Sequence, residues 1–255
     1  MHLPGTSVTS GDARLHVQEC GTPSGRELLF LHGGAGSLDD WDCMIKRFDA
    51  YRCVLVDSRG HGASTRTDAP LTYPVLAADA ETVIGAMQLH APVIIGHSDG
   101  GITALHVAMR GNVPLAGIVT IAAHGAPPRD DIMRNIYAPL DAAKWRARFP
   151  EAVASYERLN PAPDFDAFFT WLIAMWRNTA PGNYPAEGAS RMSCRALIVG
   201  GDEDHLVPRE ETVELASRVQ AAALGIVPFG SHVPHWDQPD LVGGWIDGFL
   251  GRLAS

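Results

Sequence analysis

Lysine is nearly absent: Lys46 and Lys144 are the two in the chain, and 20 Lys plus Arg face 29 Asp plus Glu for a net charge of −9. An acidic chain so poor in ammonium groups argues against a nucleic-acid-binding surface. Long apolar runs are missing too. The longest, around Leu115–Ala123, is strand-sized, whereas a bilayer span needs roughly 18–20 residues. The opening MHLPGTSVTSGD has neither a basic start nor an apolar stretch of signal-peptide length, so a cytoplasmic protein without a membrane partner is expected. Cysteine is sparse and scattered. Cys20, Cys43, Cys53 and Cys194 form no C-x-x-C pair, which argues against a zinc ribbon and reads as free thiols in a reducing compartment. There is no internal repeat and no low-complexity tract.

What the chain does have is 46% hydrophobic and 19% charged residues over 255 positions. A chain of this length buries roughly 70–75% of its unfolded surface and needs no disulfide or metal staple. Short Val/Ile/Leu-rich runs mark strands at Arg14–Glu19, Leu28–Leu31, Cys53–Val56, Val93–Ile95, Leu115–Ile121, Ala196–Val199 and Gly225–Pro228. Near-continuous apolar residues suit strands buried on both faces of a parallel sheet. Helical patterns lie between them at Trp41–Phe48, Pro74–Leu89, Gly100–Met109, Arg209–Arg218 and Leu241–Leu253. This alternation breaks from about His124 to Ala189, where Arg129–Arg146, Pro150–Leu159 and Phe165–Arg177 read as helices rich in aromatic residues. Residues 1–123 and 190–255 are therefore expected to form the core, and 124–189 a helical cap. Its aromatics pack on the body, line a pocket beneath a lid, or divide between the two roles.

The strongest chemical signal is Ile94-Ile95-Gly96-His97-Ser98-Asp99-Gly100-Gly101, a buried strand, then G-x-S-x-G, then a helical pattern. A serine on so sharp a strand-to-helix turn needs glycines two before and two after it, since a Cβ there would strike neighbouring backbone. A serine hydroxyl also needs a base and a group that orients the base. Downstream, one strand ends in Gly201-Asp202-Glu203-Asp204-His205 and another in Gly230-Ser231-His232-Val233-Pro234-His235, both at the sheet edge that carries Ser98. His232 follows its strand directly and is favoured over His235. Asp204, in G-x-x-D, is favoured over Asp202, which fits a turn residue. No carboxylate follows the strand ending at Ala122-Ala123-His124. Backbone N–H groups of Gly34, in Leu31-His32-Gly33-Gly34-Ala35-Gly36, and of Asp99 are placed to receive an oxyanion.

Rival readings are weaker. Asp39 occupies the third glycine position of a dinucleotide G-x-G-x-x-G, and no H-E-x-x-H or comparable cluster supports a metal. Neither a cofactor nor a metal is expected. Asp99 has two readings of its own. It is a favourable charge at a helix N-terminus, or a pocket carboxylate that pairs with a substrate ammonium group.

His32-Gly33-Gly34, Asp57-Ser58-Arg59-Gly60-His61-Gly62-Ala63-Ser64, GHSDGG at 96–101, GDED at 201–204 and GSH at 230–232 follow the order and spacing of α/β-hydrolases, and the resemblance covers nearly the whole chain. It implies an eight-stranded, mostly parallel sheet flanked by helices, with a helical cap after the sixth strand. GHSDGGITAL also resembles the valacyclovir hydrolase (biphenyl hydrolase-like) type, α-amino ester hydrolases, with Lys144-Trp145 fitting a similar place. His97 departs from that type, which tends to carry an aromatic residue there. The expected activity is hydrolysis of a small or medium ester or lactone by Ser98, His232 and Asp204, with Asp99, His124, Trp171 and Trp176 as candidate pocket residues. Serine as nucleophile argues against dehalogenase and epoxide hydrolase chemistry. C–C hydrolysis, perhydrolysis, amide cleavage, or ligand binding without hydrolysis remain alternatives on the same fold. The partner is a small molecule, and the chain a monomer or homodimer.

Overall fold

In the computed structural model, which describes residues 5–253, the strands form one sheet. They are β1 (Thr6–Ser10), β2 (Ala13–Gly21), β3 (Glu27–Leu31), β4 (Arg52–Val56), β5 (Val93–His97), β6 (Gly117–Ile121), β7 (Arg195–Gly201) and β8 (Ala222–Val227). The order is β1-β2-β4-β3-β5-β6-β7-β8, with β2 antiparallel to both its neighbours and every other pair parallel. The sheet is buried on both faces because its central strands alternate between two apolar layers. In β3, Leu29 and Leu31 join Ala77, Val83 and Leu105 on one side, while Leu28 and Phe30 join Trp41, Phe48 and Ile246 on the other. This two-sided burial is why these strands read as continuous hydrophobic runs.

The helices are α1 (Tyr73–Ala86), α2 (Asp99–Arg110), α3 (Asp130–Ile132), α4 (Ala142–Arg148), α5 (Pro150–Leu159), α6 (Phe165–Arg177), α7 (Arg209–Arg218), α8 (Pro234–Asp237) and α9 (Pro239–Leu253). Starts follow local chemistry. Thr72 and Asp164 each accept a hydrogen bond from a first-turn N–H of α1 and α6, and proline stands at the start of α1, α5 and α8. All of α3 to α6 lies between β6 and β7, after the sixth strand. A third apolar cluster gathers Phe165, Phe168, Phe169, Leu172 and Trp176 of α6 against Tyr73 and Ile102 of α1 and α2.

Three expectations change. β1 has no apolar run, since only Val8 and Ser10 are buried and the rest of the strand is exposed. The helix expected at Arg129–Arg146 is broken into α3, a wider π-type turn over Met133–Tyr137, and α4. Pro139 has no N–H to continue it, and Asp141 starts α4 afresh by accepting from the Lys144 N–H at 2.8 Å. Trp41–Phe48 forms two short 3-10 turns, Leu38–Trp41 and Ile45–Phe48, instead of one helix.

Candidate active site

Ser98 joins β5 to α2 with φ +49° and ψ −114°, a conformation that side chains rarely adopt. The space around the turn explains its glycines. A Cβ on Gly96 would lie 2.2 Å from the Gly100 carbonyl oxygen, and one on Gly100 would lie 2.1 Å from that of Leu31. Serine at a helix start usually caps the first turn with its hydroxyl. Here it makes no such bond. Its Oγ lies instead 3.0 Å from His232 Nε2, and His232 Nδ1 lies 2.8 Å from Asp204 Oδ2. The other oxygen of Asp204 accepts from the Leu206 and Val207 N–H groups at 2.8 and 3.0 Å. Burial pushes the Asp204 carboxyl up, but the bond and charge of His232 and these backbone donors outweigh it and hold it below the ordinary carboxylate range.

The competing candidates go elsewhere. Asp202 pairs with Arg209 at 2.7 Å on the surface. His235 is fully buried against Trp41 and His97, with both ring nitrogens unpartnered, and burial holds it neutral. The Gly34 N–H has no intramolecular acceptor among the described residues. Asp99 opens α2, where the first N–H groups lack helical acceptors.

The Asp99 side chain turns toward α6. Tyr73 donates its hydroxyl proton to Asp99 at 2.8 Å, and the Trp176 indole N–H reaches both carboxylate oxygens at 3.1 and 2.8 Å. A Cβ on Gly34 would lie 2.4 Å from this carboxylate and 2.4 Å from the Trp176 ring. Asp99, Trp176 and the turn after β3 therefore meet beside Ser98. Among the described residues no cationic side chain pairs with Asp99, and burial raises its carboxyl above the usual range despite Trp176 and Tyr73.

His124 is buried nearby, its Nδ1 2.9 Å from Glu211 and its Nε2 3.4 Å from the Tyr137 hydroxyl. Tyr137 in turn packs on Trp176. Trp171 is not in this group. It lies over Gly60 and donates to the Ala69 carbonyl at 2.8 Å. Sequence reasoning missed Tyr73, Glu211 and the contact of His97, whose Nε2–H donates to the His232 carbonyl at 2.9 Å and so ties β5 to the loop that holds His232. Among the described residues no group of three or more His, Cys, Asp or Glu could hold a metal ion. No helix among them is long and apolar enough to cross a membrane.

The family model for alpha/beta hydrolases matches residues 28–243. The chain belongs to the alpha/beta hydrolase family. This hydrolase is similar to the serine hydrolase BPHL of Homo sapiens, 30% identical over 248 residues that cover 91% of this chain and 82% of the relative. It is also similar to a non-heme haloperoxidase of Rhodococcus erythropolis, 30% identical over 252 residues, 82% of this chain and 86% of that one. A thermophilic esterase from Thermogutta terrifontis superposes with a TM-score of 0.77 at 19% identity, covering 99% of this chain and 100% of the other, a likeness of fold.

Proposed function

We propose that this hydrolase cleaves small or medium carboxylic esters or lactones through an acyl-enzyme, with Ser98, His232 and Asp204 as its catalytic residues. The contact of Ser98 Oγ with His232 Nε2 at 3.0 Å, on a turn strained to present the hydroxyl, carries the reading. Ser98 attacks the substrate carbonyl while His232 Nε2 takes its proton. Asp204 holds Nδ1–H and stabilises the imidazolium. The N–H groups of Gly34 and Asp99 receive the oxyanion. His232 then protonates the leaving alkoxide and activates water to release the acid. These steps are proton and acyl transfers within the chain's own side chains and need no cofactor.

Residues 124–189 act in this reading as a cap, with Trp176 closing over the Gly34 turn. The uncompensated Asp99 carboxylate beside the nucleophile supports a preference for esters of free α-amino acids. The similarity to BPHL, taken with the likeness of GHSDGG to α-amino ester hydrolases, points the same way. A fluorophosphonate probe with intact-mass detection tests the mechanism. Stoichiometric labelling of the unmodified protein is expected, with none in Ser98→Ala, whose ester turnover should fall about 10³-fold or more while the fold survives. Retained turnover in folded Ser98→Ala would reject the serine mechanism, and absent labelling would favour ligand binding without hydrolysis.

A further inference from the structure

Two cysteines far apart in the chain meet in the sheet. Cys20 and Cys53 stand directly opposite each other in the antiparallel β2–β4 ladder. Opposite residues project to the same face, and both pack in the apolar layer that holds Phe48 and Ile246. The Asp57 N–H donates to the His16 carbonyl and the Thr22 N–H to that of Tyr51, each across a directly opposed pair in the same register. Hydrogen-bonded pairs alternate along such a ladder, which makes Cys20–Cys53 one of them. Their Cα atoms are then about 5.5 Å apart, within disulfide range. The Cβ atoms of opposed residues lie about 4.5–5.5 Å apart, against roughly 3.8 Å in a relaxed bridge. A bridge can close here only by drawing them together, and such strain makes a disulfide easily reduced.

The two sulfurs are unequal. Cys20 is half-buried near the end of β2, and Cys53 is fully buried. The Cys53 S–H is turned to the Phe48 carbonyl at 3.5 Å, but a Cys20 thiolate would accept from it, which draws the Cys20 thiol below its ordinary value, while the same contact and burial push Cys53 far up. Cys43 is exposed, yet desolvation pushes it to about 11, and burial also raises Cys194. A reachable sulfur inclined to the thiolate, beside a protonated partner, is the arrangement that favours selective oxidation.

We propose that Cys20 and Cys53 form a reversible oxidation site that takes hydroperoxides. The Cys20 thiolate attacks one peroxide oxygen and breaks the O–O bond. It becomes a sulfenic acid, and the departing oxygen takes up a proton to leave as water or an alcohol. Cys53 sulfur then attacks the sulfenic sulfur. The S–S bond forms, hydroxide leaves, and the Cys53 proton converts it to water. The two sulfurs lose two electrons and the peroxide gains them. A dithiol reductant reverses the bridge by exchange. The ring so closed contains β3 and the Gly33–Gly36 turn, one side of the proposed oxyanion site.

The test is titration of the reduced, unmodified protein with hydrogen peroxide, read by intact mass and non-reducing peptide mapping. The expected result is a loss of two hydrogens, a linked Cys20–Cys53 peptide formed before Cys43 or Cys194 reacts, and full reversal by dithiothreitol. In Cys53→Ser, dimedone should trap a sulfenic acid at Cys20. First oxidation at Cys43 or Cys194, or Cys20 carried to sulfinic acid in the unmodified protein with no linked peptide, would overturn the proposal. The decisive map uses the unmodified chain, so it does not depend on a variant folding.

Discussion

Two buried carboxylates share one sheet edge and carry opposite electrostatics. Asp204, on the loop after β7, is 5% exposed, and Asp99, on the turn after β5 beneath α6, is 7% exposed. Burial works against the charge of each. At Asp204 the ring of His232 and two backbone N–H groups overcome it, and the carboxyl stays below the ordinary range. At Asp99 the donors are Trp176 and Tyr73, and burial wins. The donors are similar in number and the charge of His232 reaches both; the difference is that His232 bonds Asp204 directly and acts on Asp99, with His124, only through space. A carboxylate with an imidazole beside it is a settled orienting group, whereas one held by neutral donors still gains from a cation brought by a ligand.

The largest expected effect breaks the Asp204 half. Asp204→Asn should lower ester turnover by about 10³- to 10⁴-fold, because the amide presents the wrong partner to His232 Nδ1 and its tautomer is lost. Asp202→Asn, which removes only a surface pair with Arg209, should leave turnover within about twofold, as exposed pairs contribute little. Steady-state kinetics of both variants decide it, and reversed results would move the acid by two residues.

The next effect breaks the Asp99 half. Asp99→Asn should reduce the preference for aminoacyl over neutral esters by roughly 10- to 100-fold, the value of a charge-assisted contact of about 1.5–3 kcal/mol. Turnover of neutral esters should persist, since the backbone N–H remains. The same variant should be more stable. The folded-state pKa of Asp99 is raised, so the charged carboxylate weakens the fold progressively as pH rises through that raised value. Asparagine removes this penalty, and its melting temperature should exceed the parent's at pH 8, with the gap closing toward pH 4. Equal selectivity in parent and variant would leave Asp99 as a helix-terminus residue.

The first half of this comparison was legible in the sequence, and the second was not. G-x-S-x-G and G-x-x-D sit at the ends of buried strands and G-S-H follows the edge strand β8, and a parallel sheet delivers all such turns to one edge, so topology brings Ser98, Asp204 and His232 together. Asp99 was visible as a residue, but its surroundings come from α1 and α6. Tyr73 stands at the start of an ordinary helix before Pro74, and no spacing ties it to position 99. Aromatic side chains in the cap region share one composition, so Trp171 and Trp176 look alike until packing separates them by which side of α6 each occupies. β1 was invisible for a related reason. An edge strand wet on one side, with Ser10 turned inward to Asp79 at 2.6 Å, has no apolar run to read.

A smaller effect sharpens the Asp204 side. His32 and His97 frame the turn after β3 and the His232 loop, and burial holds both down to about 3. His61, packed on His32, is held to about 4 by the same cause. Their folded values lie below the unfolded value of about 6.5, so the unfolded chain binds more protons between these limits. The stability they contribute is complete above about pH 6.5 and is lost as pH falls toward 3–4. Between pH 7.5 and 5 each should shift the unfolding equilibrium by about 30-fold. Urea midpoints at pH 7.5 and 5 should show this loss, and His97→Gln a shallower one. A midpoint that does not change between these pH values would mean the rings reach water and protonate in place.

The smallest expected effect separates the two tryptophans of α6. The Trp176 N–H occupies the carboxylate that the proposed ammonium must reach, whereas the Trp171 N–H is spent on the Ala69 carbonyl outside the site. Phenylalanine keeps an aromatic ring at either position and deletes the donor. Trp176→Phe removes a competitor for Asp99, so KM for aminoacyl esters should fall roughly fivefold, the worth of one net hydrogen bond, with neutral esters unaffected. Trp171→Phe should leave both substrates unchanged and lower stability by no more than about 1 kcal/mol for the lost bond at a half-exposed site. A higher KM for aminoacyl esters in Trp176→Phe would mean that the indole N–H positions the carboxylate for its ligand instead of competing with it. The cap would then complete the Asp99 site, where the present reading has it displaced by the substrate.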